Sequence, residues 1–318
     1  MLNDVILFSL SANKSLTLEV AKHLKAPIGK VEIEHFADGE VMVRSLESVR
    51  GKSVYVIQST SNPVNERIME LLVFIDGLKS ANARHVNVVI PYYGYSRQDR
   101  IARPGEPISA KLIAKLLDTV GVHRIITIDL HTPQIQGFFS CPADVISPIS
   151  YFGKYYQEKL EKEHIPFSDV VIVSPDHGSS HRARDLATLI PGSSIAIVDK
   201  RRPAPNKAEV VNIVGDVKGK CCIIIDDIID TGGTILAATS KLLEKEANHV
   251  FVAATHGIFS NNAIELFKES RVEDVVITNS VEKDVPGVNV ISIANAIAEV
   301  IENTELGLPI RDDLLSYY

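Results

Sequence analysis

Tryptophan is absent from this 318-residue chain, and aromatic residues make up only 6% of it. Aromatic platforms on which nucleic-acid bases stack are therefore not expected. An excess of basic residues is also lacking, because 33 Lys and Arg face 40 Asp and Glu, for a net charge of −7. General nucleic-acid binding needs a basic face, so the composition argues against nucleic-acid partners but is compatible with a small basic pocket for phosphates.

Cysteine is scarce, and two of the three cysteines, Cys221 and Cys222, are adjacent within an aliphatic run. Such a pair is typical of core filling and not of a disulfide framework. No apolar run reaches the roughly 18 residues of a membrane span. The N-terminus has no basic segment ahead of an apolar stretch, as a secretory signal would have. We therefore expect a reduced, soluble, cytoplasmic protein with no membrane partner.

Continuous aliphatic runs alternate with helical patterns along the chain, and 45% of its residues are hydrophobic. Such runs are typical of strands buried on both faces of a parallel sheet. Apolar spacing predicts helices over 68–78, over 109–120 with Ser109 as the N-cap, and after Gly233. The predicted strands are 54–58, 86–90, 124–130, 170–173, 194–198, 221–225, 250–254 and 275–278.

This alternation predicts an α/β fold with two similar domains, each a mostly parallel sheet flanked by helices. Polar residues follow a strand in each half, at 129–131 and at 226–227. Ligands of open α/β sheets bind beyond the carboxyl ends of the strands. We expect an N-terminal domain over 1–147, a C-terminal domain over 148–303 and a tail over 304–318, with a site at the domain junction.

The sharpest motif is the segment 221–234, with the sequence CCIIIDDIIDTGGT. Two glycines allow a tight turn whose N–H groups point into one concavity, and the following helix adds its positive N-terminal end. A strand-end carboxylate can accept hydrogen bonds from a ribose diol. The pattern predicts a sugar-phosphate site, and its structural alternative is a buried strand that ends in solvated acids.

The full motif resembles the ribose-5-phosphate loop of the phosphoribosyltransferase-type fold, which phosphoribosyltransferases share with ribose-phosphate pyrophosphokinases. The resemblance implies that both domains have this fold. It implies that the ribose-5-phosphate-binding residues are Asp226, Asp227, Asp230, Thr231, Gly232, Gly233 and Thr234.

Further segments resemble the pyrophosphokinases in particular, namely 35–40 (HFADGE), 91–108 (PYYGYSRQDRIARPGEPI), 129–139 (DLHTPQIQGFF) and 199–206 (DKRRPAPN). By this resemblance the ATP-binding residues are Phe36, Asp38, Gly39, Glu40, Arg97, Gln98, Asp99 and His131. The implied catalytic cations are Lys200 and Arg202, and the implied Mg²⁺ residues are His131, Asp176 and Asp129.

Elementary geometry supports some of these roles. Strand side chains alternate between faces, so Lys200 and Arg202 share a face if the strand continues, as do Asp129 and His131. The long loop 91–108 concentrates arginines in an acidic protein, and such a loop can close over a triphosphate and offset its charge. A solvated charged loop is the structural alternative.

The resemblance implies Mg²⁺-dependent transfer of the diphosphoryl group of ATP to ribose 5-phosphate, with ATP bound by the N-terminal domain. It also implies a homo-hexamer built from dimers, with phosphate and ADP as effectors. Ser48 and Arg50 match the regulatory segment of the family, whereas Asn82 and Ile101 depart from it, which predicts weakened or altered ADP inhibition. The alternatives are a phosphoribosyltransferase and a non-catalytic regulatory homologue, the latter kept open by Ile101 and Ser179.

Overall fold

The computed structural model describes residues 2, 4–204 and 207–316, and within these ranges it does not describe the side chains of 200–204 and 207–211. The strands are β1 Val5–Ser9, β2 Val31–His35, β3 Val41–Ser45, β4 Ser53–Ile57, β5 His85–Ile90, β6 Arg124–Ile128, β7 Ala143–Ile146, β8 Val170–Ser174, β9 Ser194–Ala204, β10 Lys207–Val214, β11 Cys221–Ile229, β12 His249–Gly257, β13 Asp274–Thr278 and β14 Asn289–Ile291. The α-helices are α1 Lys14–Leu24, α2 Val64–Ser80, α3 Ser109–Thr119, α4 Ile149–Lys162, α5 Ser180–Leu189, α6 Gly233–Glu244, α7 Ala263–Glu269 and α8 Ala294–Leu306.

Unit 1 comprises Met1–Ser147, Asn279–Glu282 and Ser292–Tyr318. Its main sheet has the strand order β1-β4-β5-β6-β7, and all neighbouring strands are parallel. β4 is buried along its whole length and β5 is buried except for its first residue, His85, as a parallel sheet covered on both faces requires. β2 and β3 form a separate antiparallel hairpin that packs on α2.

The late segments of the chain complete unit 1. Helix α8 packs on α1, and Glu282 accepts hydrogen bonds from the backbone N–H groups of Lys14 (2.8 Å) and Ser15 (3.2 Å). These are among the N–H groups that the first turn of a helix leaves without intrahelical partners. At the other end, Ile146 and Leu315 form an antiparallel bridge, so the predicted tail pairs with β7.

Unit 2 comprises Pro148–Thr278 and Lys283–Ile291. Its sheet has the order β10-β9-β8-β11-β12-β13-β14, in which β10 is antiparallel to β9 and the other pairs are parallel. The central strand β11 is aliphatic and buried over residues 221–225 and then carries Asp226 and Asp227. The sheet therefore brings the acid pair to its carboxyl edge.

The predicted α/β class is confirmed, and every predicted strand is present, as β4, β5, β6, β8, β9, β11, β12 and β13. The expected N-cap at Ser109 is wrong, because Ser109 is the first residue of α3 and its hydroxyl donates to Gln98 Oε1 at 2.6 Å instead. The division also differs from two consecutive domains. Segments 279–282 and 292–318 belong to unit 1, because their contacts are with α1 and β7.

Candidate functional site

The acid pair of unit 2 lies within β11 and is almost fully buried. Asp226 is 9% exposed and Asp227 is 4% exposed. Asp226 Oδ1 accepts hydrogen bonds from Ser179 Oγ at 2.8 Å and from the backbone N–H of Asp227 at 3.0 Å. The backbone N–H of Ser179 donates to Asp176 Oδ1 at 3.0 Å. Ser179 therefore joins two predicted functional carboxylates that lie far apart in sequence.

The electrostatics of this cluster favour a cation. Burial raises the pKa of Asp226 well above its ordinary value, and the neighbouring carboxylates of Asp227 and Asp176 raise it further. The hydrogen bond from Ser179 opposes this effect, because it favours the ionised form. The cluster offers oxygen donors, which are the ligands that Mg²⁺ prefers in proteins. Its residues therefore fit a magnesium ion together with substrate oxygens.

The glycine turn after β11 depends on the left-handed backbone conformation of Gly232. Gly232 has a left-handed φ of 78°, and a Cβ there would lie 2.7 Å from Phe267 Cε2. Gly233 begins α6, and a Cβ there would meet only Thr231 Oγ1, at 3.9 Å. Thr231 and Gly233 are exposed, and Thr234 is partly exposed. The first turn of α6 thus presents an open helix N-terminus, which is suited to an anion.

Backbone hydrogen bonds connect the glycine turn to residues 258–260. Ile229 O accepts hydrogen bonds from the N–H groups of Ile258 (2.8 Å) and Phe259 (3.1 Å). Asp230 O accepts one from the N–H of Ser260 at 3.1 Å. The turn is therefore anchored to the segment that follows β12.

The predicted catalytic cations lie on β9, whose backbone continues through Lys200 and Arg202 to Ala204. The pairing of β9 with β10 is irregular around these positions, with register shifts between Lys207 and Glu209 and between Val210 and Asn212. The side chains of Lys200 and Arg202 lie outside the described part of the structure. Their roles stay predictions.

In unit 1, residues 129–139 follow β6 but are not part of the strand. β6 ends at Ile128, and Asp129 has a left-handed φ of 39°. Strand alternation therefore cannot place Asp129 and His131 on one side, and that part of the reasoning was wrong. Asp129 is 4% exposed, whereas His131 is partly exposed. Next to His131, Thr132 Oγ1 donates to Asp99 Oδ2 at 2.8 Å, so this run meets the arginine-bearing loop.

The first part of the arginine-bearing loop is held in place. The N–H of Gln98 donates to Tyr95 O at 2.9 Å, and Gln98 O accepts from the N–H of Ala110 at 3.2 Å. Gln98 Oε1 also accepts from Ser109, so both ends of this residue are fixed. Arg97 beside it is exposed. The structure thus positions Gln98 and Asp99 firmly on the predicted ATP side.

The second part of the loop, residues 100–107, is exposed throughout. Within it, Glu106 Oε2 accepts hydrogen bonds from the backbone N–H groups of Ala102 (3.2 Å) and Arg103 (3.0 Å). Ile101, which departs from the family pattern, is 60% exposed and so contributes little to the core. The loop is therefore divided into an anchored part and a solvent-facing part.

The predicted adenine-side residues form the turn between β2 and β3, which we call the hairpin tip (residues 36–40). Its described hydrogen bonds are internal: Phe36 N to Glu40 O (2.8 Å), Gly39 N to Phe36 O (3.0 Å) and Glu40 N to Asp38 Oδ1 (3.1 Å). Phe36 is 45% exposed, which is high for a large aromatic side chain. The structure thus presents this ring to solvent, and its role in stacking on adenine stays a prediction.

The sequence reasoning missed a cluster beside the hairpin tip. Over the ranges that the structure describes, one group of three or more metal-ligand side chains has its ligand atoms within 4.8 Å of one another, and it consists of His35, Glu66 and Glu70. The Glu-Arg-Ile-Met-Glu spacing on α2 was a usable signal, since residues four apart share a helix face. Its partner on β2 could not be read from local sequence.

Comparison with known proteins identifies the family to which these features belong. The N-terminal domain profile of ribose phosphate pyrophosphokinase matches residues 5–121, and a phosphoribosyl synthetase-associated domain profile matches residues 193–305. None of the helices in the described ranges combines the length and apolar character that a membrane span requires.

Full-length relatives agree with these domain matches. The chain is 50% identical to the ribose-phosphate pyrophosphokinase of Bacillus cereus over 303 residues, covering 94% of this chain and 93% of that protein. It is 49% identical to the enzyme of Corynebacterium ammoniagenes with the same coverage. The crystal structure of phosphoribosylpyrophosphate synthetase from Mycobacterium smegmatis aligns with a TM-score of 0.88 at 39% identity, covering 96% of this chain and 99% of that one. On the strength of this similarity along nearly its whole length, the chain belongs to the ribose-phosphate pyrophosphokinase family of enzymes.

Proposed function

We propose that this enzyme transfers the diphosphoryl group of ATP to the 1-hydroxyl of ribose 5-phosphate, giving phosphoribosyl diphosphate and AMP. The observation that carries the proposal is the end of β11 in unit 2. There a buried acid pair, Asp226 and Asp227, leads into a left-handed glycine turn and the open N-terminus of α6. This arrangement suits a molecule with a diol at one end and a phosphate at the other.

Each group of ribose 5-phosphate has a complementary partner in the proposed site. The phosphate accepts hydrogen bonds from the backbone N–H groups of the turn and the hydroxyls of Thr231 and Thr234. The ribose diol donates to the carboxylates of Asp226 and Asp227. Asp230 lies between these two parts of the site along the chain and is partly exposed. Binding thus orients the 1-hydroxyl before the reaction, which lowers its entropic cost.

Magnesium is the proposed cofactor. The carboxylates of Asp176 and Asp226 in unit 2 would hold it, with Asp129 and His131 of unit 1 as further residues assigned by family resemblance. Bound Mg²⁺ supplies charge neutralisation on the phosphate oxygens and helps to align the reacting groups. The hydrogen bond from Ser179 to Asp226 Oδ1 partly opposes the upward pKa shift that burial and the neighbouring carboxylates impose on Asp226, and a bound cation would oppose it further.

The proposed ATP residues belong to unit 1. Arg97 is exposed and offers the triphosphate a fixed cation, while the hydrogen bonds of Gln98 and Asp99 hold the loop that carries it. At the hairpin tip, Phe36 stacks on adenine, and Asp38, Gly39 and Glu40 make polar contacts with the base. By family resemblance, the hairpin tip serves the site of a neighbouring subunit.

The proposed reaction is a single in-line displacement. The 1-hydroxyl oxygen forms a bond to the β-phosphorus of ATP, and the bond from this phosphorus to the bridging oxygen of the α-phosphate breaks. AMP leaves with the electron pair, and the hydroxyl proton is released to solvent. Negative charge on the transferred and leaving oxygens is stabilised by the proposed cations Lys200, Arg202 and Arg97.

Release of AMP from ATP and ribose 5-phosphate, measured without any nucleobase, tests this proposal. Stoichiometric AMP and phosphoribosyl diphosphate are expected. A protein that consumes phosphoribosyl diphosphate only when a base is added would be a phosphoribosyltransferase. A folded protein that binds ribose 5-phosphate but releases no AMP would be a regulatory homologue. Either result would refute the proposed reaction.

The assembly, effectors and cellular location stay predictions. A homo-hexamer built from dimers is expected from family resemblance and can be tested by light scattering. Weakened or altered ADP inhibition is expected because Asn82 and Ile101 depart from the family pattern. Asn82 adopts a left-handed φ of 64°, and its carbonyl accepts a hydrogen bond from the N–H of Gly51 at 3.0 Å, next to the predicted effector residue Arg50. ADP titration with and without phosphate will test this expectation.

A further inference from the structure

Three side chains with metal-ligating groups meet in unit 1, where the end of β2 packs beside α2. Glu66 and Glu70 are four residues apart on α2 and therefore share a helix face. His35 Nε2 lies 3.8 Å from Glu66 Oε1 and 3.8 Å from Glu70 Oε1. None of these residues has a place in the proposed reaction. We call them the His-Glu-Glu cluster.

Glu70 is the buried member of the His-Glu-Glu cluster. Its side chain is 0% exposed, and Oε2 accepts hydrogen bonds from Gln58 Nε2 at 2.9 Å and from the backbone N–H of Ser11 at 3.4 Å. Its other oxygen, Oε1, is buried, faces His35 and has no hydrogen-bond donor among the residues that the structure describes. A buried carboxylate oxygen without a partner is destabilising. The position therefore calls for a positively charged or donating partner.

The neighbouring arginine does not provide that partner. The guanidinium of Arg67, on the same helix, donates from Nη1 to Ser61 Oγ. Burial lowers the pKa of Arg67, and the nearby carboxylates Glu70, Glu282 and Glu66 partly offset this effect. Across the described ranges, no ion pair of 4.0 Å or less joins Arg67 to Glu70. The two carboxylates of the cluster thus leave room for another cation.

The two His35 distances are close to those between ligands that share one ion, and all three ligand atoms lie within 4.8 Å of one another. Zinc lies about 2.0–2.2 Å from His nitrogen and carboxylate oxygen, so two of its tetrahedral ligands are roughly 3.4 Å apart. The observed 3.8 Å separations are within a few tenths of an ångström of that value. His35 is 46% exposed and Glu66 49% exposed, so both side chains have space to rotate toward an ion.

The chemistry of the donors selects the metal. Mg²⁺ and Ca²⁺ take oxygen ligands, whereas imidazole suits Zn²⁺ and other transition-metal ions. Two carboxylates neutralise the charge of a dication, and one imidazole completes a set of three protein ligands with a fourth position open to solvent. The hydrogen bonds from Gln58 and Ser11 orient Glu70 as supporting groups around metal sites do. We propose that His35, Glu66 and Glu70 form a zinc site.

Zinc at this cluster would tie the hairpin to α2. His35 is the last residue of β2, and the hairpin tip begins with the next residue. The bound ion would therefore fix the base of the tip relative to a helix of the same unit. The site is independent of the proposed reaction, because zinc binding can be measured without ATP or ribose 5-phosphate.

Titration of the chelator-treated, full-length protein with Zn²⁺ by calorimetry tests the proposal. The decisive variant is His35→Arg, since arginine places a positive charge beside both glutamates but does not ligate a metal. Wild type is expected to bind one more equivalent of Zn²⁺ than His35→Arg, and Glu66→Gln should weaken that equivalent at least about tenfold, since loss of a group that only supports a metal ligand already costs that much. The matched control is His249→Ala, because the ring of His249 contacts Glu273 at 2.9 Å and, among the residues that the structure describes, this pair belongs to no group of three metal-ligating side chains; the variant should bind zinc as wild type does.

A structural measurement complements the titration. Anomalous scattering at the zinc edge from Zn²⁺-soaked crystals should give a peak between the three side chains in wild type. Equal zinc stoichiometry and affinity in wild type and His35→Arg would overturn the proposal, because His35 would then not be a zinc ligand. Absence of an anomalous peak at the cluster in wild-type crystals would also overturn the proposal. This result does not depend on whether the variants fold.

Discussion

The glycine turn of unit 2 makes a prediction in which two adjacent glycines behave differently. Gly232 combines a left-handed φ of 78° with a potential Cβ contact of 2.7 Å to the ring of Phe267. At Gly233 a Cβ would approach no described neighbour more closely than 3.9 Å. Gly232→Ala should therefore destabilise the protein. Gly233→Ala should leave stability nearly unchanged but place a methyl group beside the proposed phosphate position.

The expected loss in the free energy of unfolding of Gly232→Ala is the sum of a backbone cost and a packing cost. A left-handed conformation costs an L-residue about 1–2 kcal/mol. Forcing a methyl group into a packed core costs a further 1–3 kcal/mol, roughly. The free energy of unfolding of Gly232→Ala should thus fall by about 2–5 kcal/mol in total, whereas Gly233→Ala should change it by less than about 0.5 kcal/mol.

A third glycine separates the two costs. Gly219 has a φ of 70° and no heavy atom within 4 Å of a potential Cβ, so Gly219→Ala should show the backbone cost alone. Urea unfolding followed by far-UV circular dichroism measures all three variants, and the KM for ribose 5-phosphate should rise mainly in Gly233→Ala. Equal unfolding midpoints for Gly232→Ala and Gly233→Ala would refute the reasoning. A loss in Gly219→Ala equal to that in Gly232→Ala would refute the contact with Phe267.

Three further predictions concern the proposed reaction. Lys200→Ala should fold normally and lose about 2–4 kcal/mol of transition-state stabilisation, whereas Arg201→Ala, a change at a residue with no predicted role in the reaction, should retain turnover in the AMP-release assay; equal turnover in both would show that Lys200 is misassigned. Phe36→Ala should raise the KM for ATP by at least about fivefold without lowering stability, since stacking on a base contributes roughly 1–3 kcal/mol and the ring is already half exposed; an unchanged KM would contradict the stacking role. Asp226→Asn should abolish activity yet raise the unfolding midpoint at neutral pH. Burial and then Asp227 raise the pKa of Asp226, so its ionisation penalises the folded state as the pH rises from the unfolded pKa of about 3.9 toward the higher folded value. A gain in midpoint that does not grow with pH over that window would contradict this explanation.

The sheet cores could be predicted because their signal is local. Strands such as β8 and β11 are continuous aliphatic runs, and burial on both faces requires that composition. β2 and β3 lack the continuous aliphatic runs of the buried strands, and the alternation of apolar residues with Glu32 and Glu34 in β2, which is typical of a half-buried strand, was overlooked. The return of α8 to unit 1 was also beyond local reasoning, since it depends on contacts with α1.

The candidate site was predictable to a similar extent. The acid pair and the glycine turn are contiguous in sequence, so their chemistry could be read together. The hydrogen bond from Ser179 to Asp226 spans 47 positions, and no local pattern indicates it. Sequence showed Ser179 only as a departure from the family pattern, whereas the structure gives its hydroxyl a partner. The left-handed conformation at Asp129 likewise has no local signal, which is why the alternation argument failed there.

The contacts of Glu282 with the start of α1 have a consequence for synthesis of the chain on the ribosome. These hydrogen bonds join positions 268 and 267 residues apart, so the first helix receives its cap only after nearly the whole polypeptide has emerged. Most of unit 2, in contrast, is one continuous stretch from Pro148 to Thr278. Unit 1 contains the N-terminal residues and is synthesised first, yet its fold can be completed only after most of unit 2 has been synthesised.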